Sequence, residues 1–286
     1  MSRAVQEEDI ALKEDMAARI RAALDEDIGD GDVTTLSIVP ADARGKGRLI
    51  AKAAGVVAGL AVAQTAFQLV DESVRFEPLV AEGAQVKPGD LLAQVSGPTR
   101  ALLTGERTAL NFLQRMSGIA SLTHRFVDAV AGTGTVILDT RKTTPGLRAF
   151  DKWAVRLGGG QNHRFGLFDM ALIKENHIVA AGGISAAVDR VRSADRRGRP
   201  IEVEVTNLDE LKETLALGVD RIMLDNMGLA KMREAVAITA GSTPLEASGG
   251  ASLETAAAIA ATGVDYISVG KPTHSFESLD ISFLLE

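Results

Sequence analysis

The sequence contains no cysteine, which excludes disulfide bridges and thiolate chemistry. It also lacks any apolar run that approaches the length of a bilayer span, so no transmembrane helix is predicted. An excess of positive charge is missing as well. The formal net charge is -7 at pH 7, which argues against a general affinity for nucleic acid or for anionic membranes.

The length and composition predict a folded protein with an ample core. The chain has 286 residues, of which 46% are hydrophobic, and this size favours one large domain or two unequal ones. The first nine residues are acidic and lack the apolar segment of a secretion signal. We therefore expect a soluble, cytoplasmic protein.

Cationic and imidazole side chains cluster in three neighbouring segments, at residues 138–146, 158–164 and 172–177. Taken singly, an Arg, Lys or His most often lies on a solvated face. Here they stand among Gly and Thr near predicted strand ends and loops, where function concentrates. A local basic cluster in an acidic protein predicts a site for a small, multiply anionic ligand. Its members are Arg141, Lys142, His163, Arg164, Lys174 and His177.

The amino-terminal segment begins with a predicted amphipathic helix. Leu12, Met16, Ile20 and Leu24 recur at four-residue spacing and therefore share one helical stripe. The acidic segment 25–35 follows, and it invites a calcium interpretation. Its acids do not match the ligand spacing of a calcium loop, so a solvated turn with helix caps is favoured.

Short strands and turns between residues 45 and 98 predict an α+β segment. Residues 102–130 can form one or two helices, with an interruption expected near Ser117 and Gly118. The pattern alone places Arg107 on the surface of the first of these helices.

From about residue 134 onward, strands and helices alternate. Nearly continuous apolar strands in such a rhythm imply a parallel sheet that is covered by helices. The number and spacing of the strands favour a closed barrel over an open doubly wound sheet, with the chemistry at the carboxyl ends of the strands. The predicted strands are residues 136–138, 170–173, 201–205, 221–224, 244–247 and 266–269.

Three acidic side chains are predicted at the same end of this sheet. Glu202 and Glu204 share one face of a strand, directed toward the interior, and Asp225 closes the next strand. Inward carboxylates are costly unless they meet cations or a metal. Glu204 and Asp225 could hold hydrated Mg²⁺ or ribose hydroxyls. A structural ion pair is an alternative of nearly equal weight, with Arg141, Lys142 or Lys174 as the cation.

Glycine-bearing turns directly follow the last two predicted strands, at residues 247–250 and 268–271. Bare backbone N–H groups in such turns can approach a phosphate, and the loops after the final strands of α/β barrels frequently bind one. Many glycine turns only connect elements. A phosphate site and a plain connection therefore stay equally open at this point.

With these residues in view, the sequence resembles the quinolinate phosphoribosyltransferase family. The most specific motifs are Asp-Thr-Arg-Lys-Thr-Thr-Pro-Gly at 139–146 and Gly-Gly-Gly-x-Asn-His-Arg at 158–164. Two departures concern local detail of the phosphate loop: Glu175 replaces the usual Asp, and Lys271-Pro272 replaces an apolar pair. Further matching segments cover nearly the whole chain, at 26–32, 104–111, 117–120, 172–177, 224–227, 246–250 and 273–275.

The resemblance implies an amino-terminal α/β (α+β) sandwich over residues 1–117 and an incomplete, TIM-like parallel α/β barrel over 118–275. Residues 276–286 are candidates to pack back on the sandwich. It further implies transfer of phosphoribosyl from 5-phosphoribosyl 1-diphosphate to quinolinate with decarboxylation, which gives nicotinate mononucleotide, diphosphate and CO2 for NAD biosynthesis. Mg²⁺ is the implied cofactor. The implied assembly is a homodimer, with a higher oligomer left open and no nucleic acid or membrane as partner.

The resemblance also implies roles for single residues. Lys142, Glu204 and Asp225 are the implied catalytic residues, and the two acids would hold the ribose hydroxyls and Mg²⁺, directly or through water. Arg107 is implied to reach the site of the partner subunit, and Thr140 to make a backbone and hydroxyl contact. The other implied substrate contacts are Arg141, Lys142, His163, Arg164 and Lys174 at the anionic groups, and Ser248, Gly249, Gly250, Gly270 and His274 at the 5-phosphate.

Two alternatives belong to other functional classes. One is a related pyridine or nucleoside phosphoribosyltransferase of the molybdenum-transport-associated branch. Loss of Arg164 or Lys174 would have favoured it, and both are present. The other is a catalytically silent phosphate-binding or interaction protein.

Overall fold

A computed structural model describes the backbone of residues 3–286 and the side chains of residues 15–286. Among residues 3–286, no helix is both long enough and apolar enough to cross a membrane. In chain order the elements are α1 (Arg3–Ile28), α2 (Val33–Ile38), β1 (Arg44–Ala51), β2 (Gly55–Val56), α3 (Leu60–Val70), β3 (Arg75–Pro78), β4 (Gln85–Val86), β5 (Leu91–Pro98), α4 (Thr99–Ala129), β6 (Val136–Leu138), α5 (Arg148–Leu157), β7 (Ala171–Ile173), α6 (Glu175–Ala181), α7 (Ile184–Ala194), β8 (Ile201–Val205), α8 (Leu208–Ala216), β9 (Arg221–Asp225), α9 (Leu229–Thr239), β10 (Leu245–Ser248), α10 (Leu253–Ala260), β11 (Tyr266–Ser268), α11 (Lys271–His274) and β12 (Ile281–Leu285).

The chain divides into two compact units. The first unit contains Met1–Leu122, Thr144–Gly159 and Phe276–Glu286. The second unit contains Thr123–Thr143 and Gly160–Ser275. Of the four crossings between the units, two fall in segments that the sequence singled out, the Thr-Thr-Pro-Gly turn and the Gly-Gly-Gly run.

An antiparallel sheet with the strand order β12-β1-β5-β3 forms the base of the first unit. Phe67 of α3 is fully buried, and its ring centroid lies 6.3 Å from that of Phe76 and 5.9 Å from that of Phe283. These rings join α3 to strands from both ends of the sheet. The mixed α+β character predicted for this part of the chain is confirmed.

The opening helix has the predicted apolar stripe. Met16, Ile20 and Leu24 are buried, whereas the side chain of Leu12 lies outside the described residues. In the acidic segment that follows, Asp32 caps α2 by accepting a hydrogen bond of 2.9 Å from the Thr35 N–H. The predicted helix cap is therefore confirmed.

Helix α4 is continuous, so the predicted interruption near Ser117 and Gly118 is wrong. The Ser117 hydroxyl accepts from the Ala58 N–H at 3.0 Å and donates to the Ala58 carbonyl at 3.2 Å. A Cβ on Gly118 would lie 2.1 Å from the carbonyl oxygen of Glu277. Both residues are small because other chain segments cross the helix closely, and the helix itself does not end there.

The second unit contains a six-stranded parallel sheet with the order β6-β11-β10-β9-β8-β7. Every predicted strand is present, with its ends displaced by at most one residue. The strands are short and mostly apolar because helices cover the outside of the sheet and packed side chains fill its inside. This arrangement gathers the carboxyl ends of all six strands at one edge.

The ring of strands is incomplete. β6 pairs with β11, but no ladder within residues 3–286 joins β6 to β7, and the chain after β6 makes an isolated bridge between Leu138 and Gln161. The closed barrel that the strand spacing favoured is therefore wrong, and the incomplete barrel is confirmed. The reason is that the segment containing α5 belongs to the first unit and adds no strand at this position.

Candidate active site

A cavity of about 730 Å³ opens at the carboxyl ends of the parallel strands in the second unit. Most of its lining residues are polar, charged or glycine, and they come from β7, β9, β10 and β11 and from the segments that flank β7 or follow β6, β9, β10 and β11. The sequence analysis singled out Thr140, Arg141, Lys142, His163, Arg164, Lys174, Asp225, Ser248, Gly249, Gly250, Gly270 and His274, and all of them line this cavity.

Lys142 is positioned through its backbone. Its N–H donates to the Thr140 hydroxyl at 3.0 Å, and its carbonyl accepts from the Thr273 hydroxyl at 2.8 Å. A Cβ on Gly270 would lie 3.1 Å from Lys142 Cδ and 3.0 Å from His274 Nε2. The glycine therefore lets Lys142 and His274 approach the turn after β11.

Asp139, at the end of β6, organises the loop that carries His163. Its buried carboxylate accepts from the His163 N–H at 2.8 Å and from the Asn162 side-chain amide at 2.7 Å. These bonds join the first cationic segment to the second. The Asp-Thr-Arg-Lys and Asn-His-Arg motifs are thus parts of one structure.

The cations of this region crowd one another. Burial, and next the positive charge of Arg141, lower the pKa of Arg164 from its ordinary value. Arg164 is also oriented by a 3.2 Å hydrogen bond from its guanidinium to the Met170 carbonyl. An anionic group bound beside Arg141 and Arg164 would relieve this repulsion.

Glu204, from β8, forms an ion pair with Lys174, which immediately follows β7. The Lys174 side chain is 45% exposed and that of Glu204 only 12%, so the pair lies at the edge of the solvent. Glu204 is not itself among the cavity-lining residues, and it reaches the site through Lys174. Glu204 thus forms one of the ion pairs that the sequence analysis considered, with Lys174 as the cation.

The turn after β10 is built for close backbone approach. Gly249 and Gly250 have φ angles of 90° and 65°, in the left-handed region that favours glycine. A Cβ on Gly249 would lie 2.1 Å from Oδ1 of Asn226. Asn226 also donates from its side chain to the Asp225 carboxylate at 3.0 Å. The turn thereby leaves backbone N–H groups accessible beside an acid.

A network of charged groups is buried inside the barrel. His163 Nε2 lies 2.9 Å from Glu202 Oε2 and 3.4 Å from Glu246 Oε2, and both carboxylates are 0% exposed. Arg221 contacts Glu246 at 3.1 Å and lies over the ring of Tyr266, 4.3 Å from its centroid. The predicted inward direction of Glu202 is confirmed by this contact with His163.

Two effects act on the protons of His163. Burial lowers its pKa, but its contacts with Glu202 and Glu246 raise it more, to about 9. The Arg164 N–H points at Nδ1 from 2.7 Å, which instead favours the neutral ring with its proton on Nε2. Nε2 carries a proton in both forms and lies within ion-pair distance of both carboxylates.

The comparisons with known proteins agree with this architecture. The N-terminal domain model of quinolinate phosphoribosyl transferase matches residues 32–117 and the C-terminal domain model matches 119–284. The chain belongs to the quinolinate phosphoribosyltransferase family. A probable carboxylating nicotinate-nucleotide pyrophosphorylase of Synechocystis sp. is 47% identical, covering 91% of this chain and 88% of the relative. A relative with the same name from Bacillus subtilis is 45% identical, covering 90% of this chain and 89% of the relative. The crystal structure of NadC from Streptococcus pyogenes is 43% identical with a TM-score of 0.91, covering 94% of this chain and 95% of that one.

Besides Glu204, a second residue that family resemblance suggested for the site, Arg107, is not among the cavity-lining residues. Arg107 belongs to α4 in the first unit, where its side chain is exposed, as the sequence pattern predicted. The cavity lined within the second unit does not include it.

Other residues of the site were missed by the sequence reasoning. Asp139, Arg221 and Glu246 belong to the polar networks described above, yet the acids that the sequence analysis directed toward the interior were Glu202 and Glu204. Glu246 carried a usable signal, because it interrupts an apolar strand in the same way as Glu202. The pairing of Arg221 with Glu246 depends on register between neighbouring strands, which no local pattern contains.

Proposed function

We propose that this chain is a carboxylating nicotinate-nucleotide pyrophosphorylase, which transfers the phosphoribosyl group of 5-phosphoribosyl 1-diphosphate to quinolinate and releases CO2. One observation carries the proposal: the cations Arg141, Lys142, Arg164 and Lys174 line a single cavity together with the glycine turns of the last strands. The relatives from Synechocystis sp. and Bacillus subtilis carry the name of this activity.

Quinolinate is a pyridine with two adjacent carboxylates, and it suits the part of the cavity around Arg164. Arginine can hold a carboxylate through two parallel hydrogen bonds. The lowered pKa of Arg164, caused by burial and by Arg141, supports an anion at this place. His163 and Lys174 line the same cavity and complete the proposed quinolinate contacts.

The activated sugar suits the opposite part of the cavity, near β10 and β11. The accessible backbone of Gly249 and Gly250 can donate to the 5-phosphate, as glycine turns do in other phosphate sites. Thr140 is proposed as a further contact of the sugar phosphate, through its backbone and hydroxyl. The remaining proposed contacts of the 5-phosphate are Ser248, Gly270 and His274.

Glu204 and Asp225 are the proposed ligands of Mg²⁺. They belong to neighbouring parallel strands and lie at or next to the carboxyl ends. Carboxylate oxygens are the donors that Mg²⁺ prefers, and it usually retains several waters, so this pair fits the ion. The bound ion would offset the charge of the diphosphate. In its absence Lys174 balances the charge of Glu204.

The transfer step depends mainly on charge and orientation. The bond between the ribose C1 and the diphosphate oxygen breaks, the diphosphate keeps the electron pair, and positive charge develops at C1. Lys142 and its neighbouring cations stabilise the leaving anion, and the two acids hold the sugar. The pyridine nitrogen then bonds to C1 without any covalent enzyme intermediate.

Decarboxylation follows from the new positive charge on the ring. When the bond to the carboxylate beside the ring nitrogen breaks, CO2 leaves and the electron pair remains on the ring carbon next to the cationic nitrogen. That carbon then takes up a proton, which gives nicotinate mononucleotide. The cations that bound quinolinate keep the ring oriented during this step.

We also propose that the enzyme acts as a homodimer in the cytoplasm and that the exposed Arg107 enters the site of the partner subunit. An exposed arginine on a long helix is sterically free to do this. Quinolinate carboxylates are its proposed ligand there.

Release of CO2 tests the proposed function directly. The purified chain, Mg²⁺ and 5-phosphoribosyl 1-diphosphate are mixed with quinolinate that is labelled in the carboxyl group next to nitrogen. We expect labelled CO2 and nicotinate mononucleotide in equal amounts, and neither product when the diphosphate substrate is omitted. A related transferase with another pyridine substrate, or a silent binding protein, would release no labelled CO2.

A further inference from the structure

Two fully buried glutamates in the interior of the barrel have no role in the proposed mechanism. Glu202 and Glu246 occupy β8 and β10, whose other side chains are mostly apolar and buried. Burial of a carboxylate costs several kcal/mol unless close partners compensate it. Glu246 also lines the cavity for which anionic substrates are proposed, so this pair of acids requires a physical explanation.

The compensating charges come from two sides. Arg221 approaches Glu246 at 3.1 Å, and its own position is set by stacking over the Tyr266 ring. His163 approaches both acids through Nε2, at 2.9 Å from Glu202 and 3.4 Å from Glu246. The two carboxylates thus contact the Nε2 edge of the imidazole ring, and Arg221 holds the carboxylate of Glu246.

A metal ion is the obvious alternative for one histidine and two carboxylates whose ligand atoms lie within 4.8 Å of one another. A metal on His163 Nε2 requires that this nitrogen carry no proton. The Arg164 N–H already points at Nδ1 from 2.7 Å, so the ring keeps its proton on Nε2. The geometry therefore favours a proton between the imidazole and the acids over a metal.

We propose that Glu202 and Glu246, the latter held by Arg221, are positioning residues that fix the ring of His163 and thereby the adjacent Arg164, whose backbone N–H lies 2.7 Å from Nδ1. The proposal rests on the proposed function for the identity of the affected substrate, since His163 and Arg164 are the quinolinate contacts. The ion pairs of this network join Glu202, Glu246, Arg221 and His163 and include none of the proposed 5-phosphate contacts. The network should thus affect quinolinate far more than 5-phosphoribosyl 1-diphosphate.

Steady-state kinetics of three variants test this division. We expect Glu246→Gln and Arg221→Gln each to raise the KM for quinolinate about tenfold, as for loss of one buried charged partner. The KM for 5-phosphoribosyl 1-diphosphate should stay unchanged. The double variant should have the same KM for quinolinate as the single variant with the higher KM, because both changes remove the same interaction. Glu234→Gln, an exposed acid on α9, is the matched control and should behave as the wild type.

Equal rises in both KM values, or additive effects in the double variant, would overturn the proposal. Because a variant could fail to fold, the wild-type protein with ¹⁵N-labelled histidine provides a second measurement by NMR. We expect a proton on His163 Nε2 that exchanges slowly with water. An unprotonated Nε2, or a stoichiometric metal ion that is lost in Glu246→Gln, would contradict the proposed network. This measurement needs no substrate, so it stays decisive even if the CO2 assay refutes the proposed function.

Discussion

Lys142 and His163 illustrate two ways in which this protein places a functional side chain. Lys142 is exposed, and hydrogen bonds to its backbone hold it next to the turn after β11. His163 is 7% exposed and is held by buried carboxylates through its own ring. The Lys142 side chain is therefore free to approach a charge that develops on a substrate, whereas the ring of His163 has a fixed orientation. Substitutions at the two positions should have correspondingly different effects.

Lys142→Ala should lower turnover about 100- to 1000-fold, as expected for the loss of one group that stabilises a leaving anion. The fold should stay intact, because the bonds that hold this loop use the Lys142 backbone and not its side chain. Turnover and thermal unfolding, measured on the same preparation, check both points. Lys231→Ala, at an exposed position of α9, is the control, and near-normal turnover of Lys142→Ala would contradict the assigned role.

His163 should make stability depend on pH. Burial lowers the pKa of His163 and the Arg164 N–H opposes a second proton at Nδ1, but Glu202 and Glu246 raise the pKa from 6.5 to about 9, so the doubly protonated form stabilises the folded state. That contribution is complete below pH 6.5 and is lost as the pH rises through about 9. We expect the wild type to lose on the order of 1–3 kcal/mol of unfolding free energy over this window. Denaturant unfolding of His163→Gln should show no such loss. If the unfolding free energies of both proteins change equally with pH, His163 is not the source of the pH dependence.

At the scale of elements, α4 shows that small residues inside a helical pattern can mark close packing and not only a helix end. A Ser-Gly pair inside a long apolar pattern usually suggests a break, and here it is a place of close packing. Ser117 bonds the backbone of Ala58, and Gly118 lies against the backbone of Glu277. The helix continues because its backbone hydrogen bonds are not disturbed by side chains of this size.

Gly118→Ala should therefore destabilise the protein, although alanine favours helices. The new methyl group would overlap backbone that cannot rotate away, at 2.1 Å from the Glu277 carbonyl oxygen. Overpacking of this kind costs about 1–3 kcal/mol or more, measurable as a lower Tm. Gly228→Ala, where a Cβ meets nothing within 4 Å, is the control and should change stability by less than about 1 kcal/mol. An unchanged Tm for Gly118→Ala would show that the two segments separate easily.

At the scale of the whole molecule, the proposed site residues come from two separate units. The cavity is lined by residues of the second unit, whereas Arg107 belongs to the first unit. The proposed homodimer connects these facts, since an arginine absent from the cavity lining can still reach the cavity of a partner. Symmetric dimers place two such sites in equivalent positions.

Mixing two inactive variants tests this arrangement. Arg107→Ala retains Lys142, and Lys142→Ala retains Arg107, so a mixed dimer contains one complete site and one that lacks both residues. After unfolding and refolding together in equal amounts, we expect about a quarter of the wild-type activity, because half of the dimers are mixed and each has one of two sites. Each variant refolded alone is the control. No recovery of activity would place Arg107 and Lys142 in the same subunit's site, whereas full activity of Arg107→Ala refolded alone would place Arg107 in no site.

Much of this protein could be predicted from local sequence. Short apolar strands that alternate with helices identify the parallel sheet, because burial on both faces demands such strands. The cations that follow β6 and flank β7 could be assigned to one site, because parallel strands bring their carboxyl ends to one edge. The glycine turns after β10 and β11 belonged to the same prediction, since bare backbone suits a phosphate.

Only the tertiary structure decided the gap between β6 and β7, the continuity of α4 and the partners of the buried acids. The gap arises because the chain leaves the barrel for the first unit, and periodicity does not reveal such a departure. Glu246 meets Arg221 and His163 because strand register and a loop bring distant residues together. Local patterns report which face of an element is buried, whereas the choice of partner depends on how the elements are assembled in space.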